Sequence, residues 1–341
     1  MKSGVKTAKK SPSPSAAASK KRIVSRSAIA SSSPLGLLAL HLLKQWKDSG
    51  RGGLVFLAGD QDRAERIGNV VHSLDSSADV MVYPRLDSLP FDGLEPSREI
   101  AGRRASVLRR LAGTKRPAFL ITTAEAIMER LPTPEASKRS AVSLKRGAKY
   151  SQQGLEKRFE NLGYDLEQEA DYPGAVLFHG KTFEIFPAGA LSPFRIEHDD
   201  NAIEKIVAFD PGGRDALSEV KELLIDPMSE RVAFDKTRHR PALLTDYCGR
   251  AHWIADFEVP ARADSWLHTI EQAVGFKEAQ HEYMGRAEWN KASKRVTLLP
   301  GQAAYEATPD FTRQRPSFVR CGDATREGAA APCRGCRRRP S

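Results

Sequence analysis

The chain has 341 residues, a formal net charge of +10, 40% hydrophobic residues and four cysteines. That length suits two or three compact units rather than one. No apolar run approaches the roughly 20 residues that a membrane span needs, and so few cysteines argue against a disulfide scaffold and fit a reducing cytoplasm.

Residues 1–33 hold eight Lys or Arg and no acid, without the uninterrupted apolar stretch of a secretory signal, and read as a disordered basic arm. From Pro34 the pattern becomes regular. The stretch PLGLLALHLLKQWKDSG predicts a helix with Ser33 as its cap and Pro34 in the first turn, stopped by Gly50. GLVFLAG (53–59) is wholly apolar, as in a strand buried on both faces of a parallel sheet. A helix over DQDRAERIGNVVHSL, a strand at 79–84, a helix at 97–113 with Ile100, Val107, Leu108 and Leu111 on one stripe, a strand at 118–122 and a helix over TAEAIMERL follow. Strand and helix alternate, which predicts an α/β layer over 34–137.

The next unit, 138–225, begins with AVSLKRG and the helix SQQGLEKRFENLG. Short strands follow, YDLEQEA, AVLF, KTFEIFP, PFRIEHD and AIEKIVAFD, separated by turn signals such as Pro173-Gly174 and Ala188-Gly189. The pattern predicts a small antiparallel sheet with one helix. The third stretch, 226–310, is mixed and contains an amphipathic helix at 263–274 carrying Trp266, Leu267, Ile270 and Val274 on one side. The fold class expected from these patterns is α/β, a parallel-sheet layer followed by a small α+β antiparallel-sheet domain. The tail, 311–341, holds eight Arg against two acids and reads as disordered. The basicity sits in the two ends, and 34–310 is net acidic. Ends of this kind either hold nucleic acid without reading its sequence or serve only to solubilise.

Gly180-Lys181-Thr182 raises the question of a phosphate-binding loop. Such a loop needs G-x-x-x-x-G-K-[ST] between a strand and a helix, so that backbone N–H groups curl around the phosphate. Here Gly174 and Gly180 enclose five residues, and TFEIFP after Lys181 alternates as a strand does. A hairpin turning near Gly180 is expected instead. After the first buried strand, AGDQDRAER offers one glycine and no Lys, and Asp60 and Asp62 would oppose phosphate. No nucleotide site, cofactor or metal site is expected. His281-Glu282 lacks the second His of H-E-x-x-H, and His198-Asp199-Asp200 reads as solvated turn acids. Cys333 and Cys336, with Cys321 upstream, fall short of four zinc ligands.

Two stretches carry a resemblance. YPRLDSLPFDGLEPSREIAGRR (83–104) resembles the motif P-x-W-x-x-L-P-[YF]-D of the amino-terminal, UvrB-like region of the bacterial transcription-repair coupling factor, with Leu86 in place of Trp and Glu95-Pro96 in place of Ser-Pro. Residues 163–211 resemble that family's UvrB-interaction domain in order and spacing over about fifty residues, including G-Y, P-G, the strand ending in F-P, and P-x-R. The resemblance implies an α/β domain interrupted by the small sheet domain, and a sheet surface that binds UvrA in nucleotide excision repair. It places a partner-binding Arg at Arg195. The family's other anchors, a second Arg and an aromatic, are met here by His179 and by His198 or Asp199.

Arg offers a permanent charge and a planar fork, which neutral His lacks. Anchors of this type are each worth on the order of 2 kcal/mol or more, so two such departures would weaken docking to a UvrA-like protein by about 10³-fold. Arg195 could instead be spent in a strand-surface ion pair with Glu197 or Glu184. The motifs of the family's translocase motor are missing, so the expected function is a non-catalytic docking module, a truncated or divergent relative. The rival readings are an ATP-dependent DNA translocase, as in the full-length family, and a non-specific nucleic-acid binder acting through the basic ends.

Overall fold

The computed structural model describes residues 29–302, except 51, 90–91, 115–117, 200–201, 235–240 and 274–281. The basic arm up to residue 28, the tail and the cysteine pair at 333 and 336 lie outside the described residues.

In chain order the elements are α1 (Leu35–Asp48), β1 (Leu54–Ala58), α2 (Gln61–Leu74), β2 (Val80–Val82), α3 (Arg98–Gly113), β3 (Phe119–Thr123), α4 (Ala124–Ile127), α5 (Pro134–Arg139) and β4 (Val142–Lys145). Then come α6 (Gln152–Asn161), β5 (Asp165–Leu166), β6 (Ala175–His179), β7 (Thr182–Ile185), β8 (Phe194–Asp199), β9 (Ala202–Phe209), β10 (Ala216–Glu219) and β11 (Glu222–Ile225). A 3₁₀ turn at Glu230–Ala233 precedes α7 (Leu244–Cys248), β12 (His252–Ala255), α8 (Val259–Ala273), α9 (Arg286–Ser293) and β13 (Val296–Leu298).

Five strands form a parallel sheet in the order β13-β12-β1-β3-β2. Strand β1 lies at its centre, and all five of its residues are buried, because helices cover both faces. One face packs Val55, Leu57 and Leu120 with Leu108, Leu111 and Leu267. The other packs Leu54, Phe56 and Ile121 with Leu38, Leu42, Ile67 and Val71. Strands β3 and β12 flank β1 on opposite sides although the whole second sheet separates them in sequence. The chain leaves the parallel layer, builds the second sheet, and returns to finish the first.

The second sheet has the order β10-β9-β8-β7-β6-β5 and is antiparallel except for the short β5–β6 pair. Its core face carries Val176, Phe183, Ile196 and Ile206, against which α6 lays Leu155 and Phe159. Strands β4 and β11 form a separate two-stranded antiparallel ribbon at the entry and exit of this unit.

Helix α3 joins the two sheets. A Cβ on Gly102 would lie 2.8 Å from the Ala188 Cβ, so the loop after β7 sits directly on the helix backbone. Three arginines of α3 reach across. Arg98 pairs with Asp165 and donates to the Gly163 carbonyl at 3.0 Å, and Arg109 pairs with Asp226. Arg104 is fully buried and donates to Glu230 and Glu129 at 2.6 Å each and to the Pro84 carbonyl at 2.7 Å. Its guanidinium carbon lies 4.5 Å from the Tyr83 ring centroid. Burial works against that charge, but the two glutamates outweigh it and raise the Arg104 pKa. Tyr164 bridges the same junction, donating to the Asp226 carbonyl at 2.7 Å and accepting from the Ala188 amide at 2.8 Å.

Several local expectations are corrected. The helix expected over TAEAIMERL is a single turn, Ala124–Ile127, because Glu129 and Leu131 leave it to bridge Tyr283 and Ala242. YDLEQEA supplies two strand residues only. Pro34 stands at the cap position of α1 rather than inside its first turn, with no side-chain cap bond, and the Ser33 hydroxyl accepts from the Ala30 amide instead. Helix α8 starts at Val259, four residues before the expected position, with Pro260 in its first turn, where a missing N–H costs nothing.

Candidate protein-docking face

The face of the second sheet turned away from its core is built by strand alternation. In the β7–β8 ladder Phe183 stands opposite Ile196, both buried in the core, while the next pair, Glu184 opposite Arg195, projects the other way. Arg195 Nε donates to Glu184 Oε1 at 2.8 Å. Of the two partners offered by the sequence, Glu197 and Glu184, it is Glu184 that Arg195 takes.

A second arginine completes the cluster. Arg214 Nη2 lies 2.7 and 2.6 Å from the two carboxylate oxygens of Glu184. The guanidinium carbons of Arg195 and Arg214 lie 5.1 and 5.2 Å from the centroid of the buried Phe209 ring. The Glu184 side chain is only 8% exposed, whereas Arg195 and Arg214 are 35% and 49% exposed. A carboxylate this buried needs charged partners, and each guanidinium stacks on an aromatic face while its outer nitrogens stay wet. Arg214 reaches the cluster from the β9–β10 turn. The Asp210 side chain accepts from the Gly213 amide at 2.9 Å, its carbonyl accepts from the Arg214 amide at 2.7 Å, and Arg214 takes a φ of +57°. Sequence reading missed this residue. The available signal was Pro-Gly-Gly directly after a strand, a turn that folds the next residue back over its own sheet.

The three departure residues do not gather around Arg195. His179 is exposed at the end of β6, paired in register with Thr182. His198 sits past a register shift at Glu197/His198 and turns inward, 5.3 Å ring to ring from Tyr150 and 6.5 Å from the core Phe183. Asp199 pairs with Lys181. Plain alternation along β8 thus puts the 198 side chain on the Ile196 face, opposite Arg195, and the extra residue of the bulge, Glu204, belongs to β9.

Gly180 holds the β6–β7 hairpin turn with φ +58°, and Thr182 after it is already in a strand. At the other suspected phosphate position, the end of β1, a protein carboxylate occupies the cradle. Asp256 Oδ2 accepts from the Gly59 amide at 3.1 Å and from Arg63 Nε at 2.6 Å. Asp60 caps α2 by accepting from the Arg63 amide at 2.8 Å.

The family model described as "UvrB interaction domain" matches residues 142–230. Over that stretch the chain is similar to a UvrB interaction domain.

The Haemophilus influenzae transcription-repair-coupling factor is 29% identical over 182 residues, covering 53% of this chain and 16% of that protein. Its Escherichia coli counterpart is 24% identical over 195 residues, covering 57% and 17%. UvrABC system protein B of Pseudomonas putida is 32% identical over 130 residues, covering 36% and 19%. The chain thus spans less than a fifth of the length of these relatives. Glu184, Arg195, Phe209 and Arg214 all fall inside the matched stretch, and Glu230, the partner of Arg104, is its last residue.

Outside that face the described residues offer little chemistry. No group of three or more His, Cys, Asp or Glu among them could hold a metal, and no helix among them is long and apolar enough to cross a membrane. Cys248 is buried, and loss of water around it pushes its thiol up to about 12, which keeps it protonated and unreactive at neutral pH.

Proposed function

We propose that this chain is a protein-docking module of nucleotide excision repair, related to the amino-terminal part of the transcription-repair coupling factor, and that it binds a UvrA-type partner through the open face of its antiparallel sheet. The observation that carries the reading is the match of 142–230 to the UvrB interaction domain together with a half-exposed Arg195 on that face. Arg195 is the residue assigned to the partner, and its bond to Glu184 leaves both terminal nitrogens available.

The module works by contact and not by turnover in this reading. A carboxylate sits where a phosphate would be cradled at the end of β1, and Gly180 turns a hairpin instead of a phosphate loop. The relatives' full-length activity is not carried over to this chain, which aligns with under a fifth of each. Capture of purified UvrA by the full chain, compared with Arg195→Ala, tests the reading. Recovery should fall by roughly 10-fold or more in the variant, and equal recovery, or none with either protein, would remove UvrA as the partner.

A further inference from the structure

We infer that Arg214 is a second docking residue, and that Arg195 and Arg214 together form a two-pronged clamp, set by Glu184 and Phe209, for one acidic side chain of the partner. This deepens the proposed docking function and rests on it. The clamp unites residues from three segments. Glu184 comes from β7, Arg195 from β8 and Arg214 from the β9–β10 turn, and all meet over Phe209.

The chemistry of the occupant follows from the charge count and the unused donors. One buried carboxylate faces two guanidinium groups, so the cluster carries a net positive charge. Arg195 spends only its Nε on Glu184, and Arg214 spends only its Nη2. Among the described residues, both terminal nitrogens of Arg195 and the Nε and Nη1 of Arg214 donate to nothing, and both side chains are substantially exposed. Guanidinium donors in a fixed fork match a carboxylate, and stacking on Phe209 holds the forks in place before binding. Glu184 acts as a positioning residue: it aligns the two arginines and keeps them from repelling one another. Arg214 also supplies on this face a permanent charge that His179, exposed at the end of β6, does not.

The test measures binding of purified UvrA to the immobilised full chain at low and moderate salt, for wild type, Arg195→Ala, Arg214→Ala and Arg214→Lys, with thermal melts to confirm that each variant is folded. Arg214→Ala should weaken binding by roughly 10-fold or more, Arg214→Lys by less, and the loss should shrink as salt rises. If Arg195→Ala weakens binding while Arg214→Ala equals wild type, the clamp is overturned and the docking reading stands. If neither substitution weakens binding, or wild type does not bind, the docking reading fails and the clamp with it. An oligonucleotide that binds wild type and is released by Arg214→Ala would overturn the clamp in favour of a phosphate site.

Discussion

The amide of Gly59 donates to the side chain of Asp256 at 3.1 Å, across 197 positions of sequence. Gly59 follows β1 and Asp256 follows β12, so the bond ties together the ends of two neighbouring parallel strands that belong to opposite sides of the inserted sheet. That end of a parallel sheet, at a helix N-terminus, is where α/β proteins commonly seat phosphates. Here the anion is part of the chain, and Arg63 grips it with Nε at 2.6 Å and Nη2 at 3.1 Å.

Asp256→Ala should therefore destabilise the chain by about 2–4 kcal/mol, because it strands the Arg63 charge and leaves the Gly59 amide unpaired. Asp256→Asn, which keeps an acceptor, should cost less. Urea unfolding at fixed salt reads both, and an alanine variant within ~0.5 kcal/mol of wild type would show that the carboxylate does not hold the two strands together.

Glu129 makes stability depend on pH. Burial is the largest influence and lifts its carboxyl to about 7, while Arg104 pulls it down and Glu230 pushes it up. In the unfolded chain the group titrates near its ordinary value of 4.5. Between those two pH values the folded state binds a proton that the unfolded state does not, so the contribution is present at low pH and is lost as pH rises through about 7. Unfolding free energy measured from pH 5 to 8 should fall more steeply in wild type than in Glu129→Gln, and parallel curves would rule out Glu129 as the source.

The contact of Gly102 with Ala188 joins the two sheets. Gly102→Ala would set a methyl 2.8 Å from the Ala188 Cβ and should cost about 1–3 kcal/mol by overpacking. Adding Ala188→Gly should return part of that loss, since it removes the opposing methyl. A double-mutant cycle gives the coupling directly, and additive losses would mean that α3 and the loop after β7 shift independently.

Most of the architecture was legible from local pattern. The wholly apolar runs at 53–59 and 118–122 declared strands buried on two faces, and the alternation in TFEI declared a half-buried strand where a phosphate loop had been suspected. The order of motifs over 163–211 pointed to the sheet domain that residues 142–230 match. Shorter pieces were not legible. Strands β10 and β13 and helix α9 are brief and only weakly periodic, and long-range pairing sustains them more than propensity does.

What the sequence by itself determined is the class of each long element and the presence of Arg195 on a strand, while the interruption of one sheet by another came only through the family resemblance. Only the tertiary structure decided what the charged side chains do. Arg104 is not among the residues of the apolar stripe read for its helix, yet it is fully buried because Glu129 and Glu230 converge on it from opposite sides of the inserted sheet. Arg214 joins Arg195 because a turn folds it back, and the register of β8 is set against β9 across a bulge at Glu204 that no local pattern announces. Periodicity is a local property, set by the backbone over a few residues. The meeting of charges depends on turns, bulges and chain returns that bring distant segments together, and no short window of sequence contains both partners.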